Sequence, residues 1–132
     1  VLQLKLITEN DLEFVRQLRN ANRKWFFDSQ EISPEQQKKW FKSLYSGDLR
    51  FRFYIIWLDD QRAGTVSRKY LKQDVTEIGN LMLIPEAQGK GIMTDVIRKL
   101  RVRDNHFYIA FVKPSNKKSL AVFERAGFAR IK

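Results

Sequence analysis

One segment, Leu81-Met82-Leu83-Ile84-Pro85-Glu86-Ala87-Gln88-Gly89-Lys90-Gly91-Ile92-Met93-Thr94, constrains the fold more than any other part of the chain. An apolar run stops at a proline and passes two glycines. It resumes with Ile92, Val96, Ile97 and Leu100 at helical spacing. Pro85 has no N–H to give to a ladder and so ends the strand. The glycines open backbone conformations closed to other residues. The segment therefore predicts a strand over 75–84, a tight turn, and a helix from Gly91 to about Arg101. The first N–H groups of that helix have no intrahelical acceptor. Together with the helix dipole they attract an anion by ~0.3–2 kcal/mol per charge. Lys90 adds a cation, and a pyrophosphate suits such a turn. A Walker loop is excluded, because the longer glycine run ending in Lys-Ser/Thr is absent. The dinucleotide fingerprint follows an early strand, whereas this unit lies late. On the Gly-x-Gly alone, a plain connecting turn is an equal reading.

The flanking sequence extends the pattern. Residues 1–7 alternate like a half-buried strand. Thr8 then reads as a helix N-cap ahead of Leu12, Val15 and Leu18. Residues 20–32 are irregular. Ser33-Pro34-Glu35-Gln36 starts a second helix, with Ser33 as N-cap, Pro34 at the first position and Gln36 closing a capping box. That helix carries Trp40, Phe41 and Leu44 and is expected to end by Gly47. Residues 51–58 and 62–71 read as a hairpin. Beyond the central segment, 106–112 reads as a buried strand ended by Pro114. Ser115 is the expected cap of a last helix, with Leu120, Phe123 and Ala126 inward and Gly127 as its left-handed terminator. The order β-α-α-β-β-β-α-β-α predicts an α/β (α+β mixed) fold, a mixed sheet with helices on both faces. The 132 residues make one domain, 1–132.

Composition narrows the chemistry. With no cysteine and one histidine, His106, disulfide scaffolds, thiolate zinc sites, cysteine nucleophiles and multi-His metal centres are excluded. No metal is expected. The net charge of +10 attracts anions, yet the cations are dispersed. The densest run, Arg98 to Arg103, reads mainly as a solvated helix end. No apolar run approaches the ~18 residues of a membrane span, and the alternating start does not read as a signal peptide. A cytoplasmic location without membrane attachment is expected. Nucleic acid is a disfavoured partner, because no zinc-finger or RNA-recognition signature accompanies the charge.

Two motifs in order now carry a resemblance. Gln88-Gly89-Lys90-Gly91-Ile92-Met93 is similar to the acetyl-CoA motif Gln/Arg-x-x-Gly-x-Gly/Ala of the GNAT superfamily of N-acetyltransferases. Val112-Lys113-Pro114-Ser115-Asn116-Lys117-Lys118-Ser119, followed by Phe123-Glu124-Arg125-Ala126-Gly127-Phe128, resembles its second motif. The resemblance spans nearly the whole chain. It implies a GNAT fold, whose central sheet splays into a V-shaped slot for acetyl-CoA. It also implies direct attack of a primary amine on the thioester in a ternary complex.

The resemblance assigns roles residue by residue. Backbone N–H groups of Gln88, Gly89, Lys90, Gly91, Ile92 and Met93 would hold the pyrophosphate. Leu83 and Ile84 would pair with the pantetheine arm, the N–H of Leu83 polarising the thioester carbonyl. Asn116, with Ser119 and Phe123 of the second motif, would complete the cofactor site. Glu77, on the strand entering the motif, is the candidate base, against the plainer reading of a solvent-facing strand carboxylate. Two positions depart from the pattern. Met93 replaces Gly/Ala, and Phe123 stands where many members carry the tyrosine that protonates the thiolate. Tyr70 and Tyr108 are weak substitutes. Only four residues follow Phe128, so the last family strand is expected to be short or missing.

The acceptor site is sought between the first two helices. Arg23, Trp25 and Phe26 are the candidate contacts, since aromatics stack on a sugar or base and Arg23 can meet a diphosphate. The stretch from Arg19 to Trp40 looks like members acetylating nucleotide-linked amino sugars and, less closely, ribosomal-protein N-termini. Small-molecule or peptide amines are therefore the expected partners, with a homodimer left open. Polyamines are disfavoured by the net charge. The alternative is an inactive CoA-binding module, or a basic nucleic-acid adaptor on the same fold.

Overall fold

The aromatic and β-branched run Phe51–Leu58 supplies the middle of a sheet, and the computed structural model shows how the rest assembles around it. It describes residues 1–45, 50–101 and 106–131. The elements are β1 (Leu2–Leu6), α1 (Leu12–Ala21), α2 (Pro34–Tyr45), β2 (Phe51–Leu58), β3 (Gln61–Lys72), β4 (Val75–Leu83), α3 (Ile92–Leu100), β5 (Phe107–Ile109) and α4 (Lys117–Arg125). Turns of 3-10 helix at Glu9–Asp11, Arg23–Trp25 and Pro85–Ala87 lie between them. The sheet order is β1-β2-β3-β4-β5, antiparallel through β4 and parallel between β4 and β5. This is the mixed sheet flanked by helices that the element order predicts. Gly47, the expected end of α2, and Arg103 lie outside the described residues.

The sheet buries a core on each face. Ile56, Val66 and Ile78 pack with Val96, Ile97, Leu100 and Phe123 of α3 and α4. Ile7, Val15, Phe53 and Ile55 form the core beneath α1 and α2, with Trp40 meeting Phe53 edge-on at 5.1 Å. Local signals in the sequence start the helices. Ser33 N–H donates to Gln36 Oε1 at 2.9 Å, and Gln36 N–H donates to Ser33 Oγ at 3.2 Å, which is the expected capping box. Thr8 N–H donates to Asp11 Oδ2 at 2.7 Å at the other start, where a 3-10 turn precedes α1. Buried Asp11 also accepts from Arg62 Nε at 2.8 Å, tying that start to β3.

Three expectations change. Asn116, not Ser115, caps α4: its Oδ1 accepts from Ser119 N–H at 3.3 Å, so the helix starts one residue later. The last strand pairs only over Phe107–Ile109, opposite Val75–Glu77, rather than over 106–112. From Ile78 onward β4 has no parallel partner among the described residues, so the sheet opens into a V there. The basic end of α3 is not merely solvated. Arg101 Nη1 donates to Ala126 O and Arg98 Nη2 to Arg125 O, clasping the end of α4. That end is closed as expected by Gly127, at φ +97. Phe128 N–H donates to Phe123 O at 2.9 Å, Gly127 N–H to Glu124 O at 3.0 Å, and the two phenyl rings meet at 5.0 Å. Among the described residues no strand follows α4.

Candidate active site

The turn between β4 and α3 is built to leave N–H groups unused. Gly89 and Gly91 take φ of +76 and +77, which L side chains adopt only under strain. A Cβ built on either would meet nothing within 4 Å, so open space lies in front of both. Ala87 and Gln88 N–H groups close the preceding 3-10 turn, bonding Ile84 O and Pro85 O. The N–H groups of Gly89, Lys90, Gly91, Ile92, Met93 and Thr94 then find no acceptor among the described residues; the next to bond is Asp95, to Gly91 O at 3.2 Å. Met93 buries its side chain in the core and offers only its backbone, so its departure from the Gly/Ala pattern leaves the row of donors intact.

The end of β4 faces the slot. Ile84 N–H donates to Ala63 O at 2.9 Å, so by antiparallel alternation the N–H and C=O of Leu83 point away from β3, toward the unpaired side. Gln88 Nε2 donates to Leu83 O at 3.1 Å and straps the turn to the strand end. Leu83 N–H, Ile84 and the glycine turn therefore form one continuous edge. At the second motif, Asn116 spends its carbonyl oxygen on the cap of α4. Phe123 is buried and meets Phe128 edge-on.

A β-bulge shapes the other face of β4. Thr65 opposes Met82 while Ser67 opposes Gly79, so β4 carries one extra residue there. Asn80 takes φ +51, its carbonyl accepts from Thr65 Oγ1 at 2.7 Å, and its Nδ2 donates to Ser67 Oγ at 2.9 Å. Asparagine is among the few non-glycine residues suited to that conformation. Asn80 and Met82 thereby join Val15, Arg19, Asp28, Glu31, Gln37 and Trp40 around a cavity of about 330 Å³. Arg19 lies partly buried in its wall. Its guanidinium carbon is 3.3 Å from the Phe26 ring centroid, its Nη2 donates to Asp28 O at 2.9 Å, and its Nε has no hydrogen-bond partner among the described residues. Burial pulls its pKa below the ordinary arginine value, an effect opposed by Asp28.

The predicted residues are thus only partly brought together. Gln88 to Met93, Leu83 and Ile84 are contiguous. Glu77 shares the cavity face through Gly79, whose built Cβ would lie 3.7 Å from Glu77 Oε2, but it is not part of the cavity wall. Of the acceptor candidates, Arg23 pairs with Glu31 at 3.8 Å, Trp25 lies under Lys24, and Phe26 lies under Arg19, all outside the wall. Asp28, Glu31, Gln37 and Asn80 were missed. The signal for them was Asn20, whose amide bonds both Ile32 N–H (2.8 Å) and Ile32 O (3.1 Å) and folds the 22–32 loop back on α1. Tyr70 and Tyr108 sit at the far end of β4, beside Thr76, roughly 20 Å from Leu83 at ~3.3 Å per residue. Among the described residues no group of His, Asp and Glu could hold a metal, and no helix is long and apolar enough to cross a membrane.

Comparison with curated protein sequences gives no significant match. Among solved structures, a domain from Methanocaldococcus jannaschii is similar at TM-score 0.84 and 26% identity, over 100% of this chain and 90% of that one. A spermidine N-acetyltransferase from Vibrio cholerae, solved with CoA and spermine, shares the fold at TM-score 0.82 and 20% identity, over 99% of this chain and 82% of that one. The aminoglycoside acetyltransferase AAC(6')-Ib, with ribostamycin and coenzyme A, does so at 0.79 and 22%, over 98% and 84%. The family model described as an acetyltransferase (GNAT) domain matches residues 2–129, a span that takes in the splayed sheet, the glycine turn and the clasped last helix, and the chain belongs to that family.

Proposed function

We propose that this chain transfers the acetyl group of acetyl-CoA to a primary amine by direct attack in a ternary complex. The row of unused N–H groups from Gly89 to Thr94, opening on the unpaired end of β4, carries the reading. Acetyl-CoA supplies the activated acetyl thioester. The residues present fit it: the glycine turn offers donors and open space to a pyrophosphate, with Lys90 beside them. α4 opens with Lys117 and Lys118, two cations at the positive end of a helix, an arrangement that an anion nearby would stabilise. Leu83 N–H is the donor aimed where charge develops on the carbonyl oxygen. Ile84 extends that edge, and Asn116 and Ser119 complete it at the start of α4.

The amine must shed a proton, since its ordinary pKa is ~10. Glu77 takes it through water, because its carboxylate reaches toward Gly79 but stops outside the cavity. Phe123 donates none, and water protonates the departing sulfur. Orientation of the two substrates supplies most of the rate. The acceptor binds in the 330 Å³ cavity, where Asp28 and Glu31 attract a cation, Trp40 offers a ring, and glutamines and Asn80 suit hydroxyl groups. An amino sugar, alone or carried on a nucleotide, or a protein N-terminus matches that lining.

Release of CoA thiol, followed with a panel of amines, tests the proposal. Turnover is expected with hydroxylated amines. Glu77→Gln should lower kcat ~10-fold or more, leave KM for acetyl-CoA in place and shift the pH profile. Folded protein that releases no thiol with any amine would instead be the inactive module, and nucleic-acid binding with a steep salt slope would identify the adaptor.

A further inference from the structure

The face of the sheet that packs on α3 holds a second cavity of about 340 Å³, at the end of β4 remote from the glycine turn. Its wall comprises Leu4, Tyr54, Arg68, Tyr70, Thr76, Lys99, Leu100 and Tyr108, so among the described residues it carries two cations and no carboxylate. Arg68 Nε donates to Tyr54 Oη at 3.2 Å and its guanidinium carbon lies 4.7 Å from the Tyr70 ring, but its Nη1 is buried without an acceptor among the described residues. Asp74, at the neighbouring turn, faces His106 Nδ1 at 3.9 Å, while His106 Nε2 shares a 2.6 Å hydrogen bond with Thr76 Oγ1. Glu77 lies on the opposite face of the sheet.

A guanidinium cannot shed its charge, and a buried donor on it left unpaired costs stability. A planar guanidinium and an ammonium lining one cavity with tyrosines can take an oxyanion through charge-assisted hydrogen bonds. We propose that this cavity is a second anion site, separate from the active site, which binds a carboxylate or phosphate group on Arg68 and Lys99. Leu4 and Leu100 flank the cations, so the ligand is a small anion with an apolar or aromatic body.

The site is tested on the full chain by following the ring resonances of Tyr54, Tyr70 and Tyr108 during titration with inorganic phosphate, and separately with benzoate, at constant ionic strength. CoA is present throughout to occupy the glycine turn. Saturable shifts confined to these rings are expected with at least one probe, and the tighter probe identifies the group. Arg68→Met should weaken that binding ~10-fold or more, while Lys90→Ala, at the turn, should leave it unchanged. If Arg68→Met does not fold, Lys99→Met at an exposed position replaces it, with a loss of ~3-fold or more expected. No saturable shift with either probe, or equal binding by wild type and the Arg68 or Lys99 variant, would overturn the proposal.

Discussion

Gly91 and Asn80 are the two residues whose backbone conformation the site depends on most. Gly91 caps α3 at φ +77 with open space before it. Gly91→Ala therefore meets no clash and suffers only the left-handed penalty, ~1–2 kcal/mol. If the turn relaxes to relieve it, the donor row is lost. Calorimetry should show acetyl-CoA binding weakened by more than the fall in thermal stability accounts for. At Asn80 the side chain and carbonyl both hold the bulge to β3. Asn80→Ala removes one hydrogen bond and leaves a left-handed alanine, so denaturant unfolding should report a loss of ~1–3 kcal/mol. Asn80→Gly should recover part of it, a comparison that separates backbone strain from the lost amide contact.

The helices depend on contacts that differ in sequence range. Ser33→Ala opens a local capping box and should cost ~1 kcal/mol by thermal unfolding. Arg101→Met breaks a contact between α3 and α4, removing the hydrogen bond to Ala126 O and the cation held 5.1 Å from the Phe128 ring. Hydrogen exchange in α4 should rise while α2 is unchanged. The same distinction explains what could be read from the sequence. The Ser33 and Gly127 caps, the glycine turn and the order of the elements along the chain were legible because they rest on neighbours within a few residues. The shortened β5 was not, because 106–112 has strand composition throughout and only the divergence from β4 limits its pairing. The bulge at Asn80 was hidden because period-two patterning does not mark an inserted residue in a strand buried on both faces. Arg23, Trp25 and Phe26 were chosen for their chemistry. The fold-back set by Asn20 instead turns Asp28 and Glu31 to the cavity.

At the scale of the whole molecule, a net charge of +10 surrounds a cavity whose wall holds two carboxylates against one arginine. In the proposed reaction the two substrates would therefore feel opposite fields. Raising the salt should weaken capture of an anionic cosubstrate, so kcat/KM for acetyl-CoA should fall with ionic strength in steady-state assays, and that for a cationic amine should change less. The cavity also bears on the return half of the cycle. In the proposed reaction an amine enters as a cation and departs as a neutral amide, so Asp28 and Glu31 would attract the incoming molecule and lose their grip on the outgoing one. Acetylated acceptor should be a poor inhibitor, with an inhibition constant ~5-fold or more above the KM of the free amine. The site would clear itself by the change in charge that its own reaction makes.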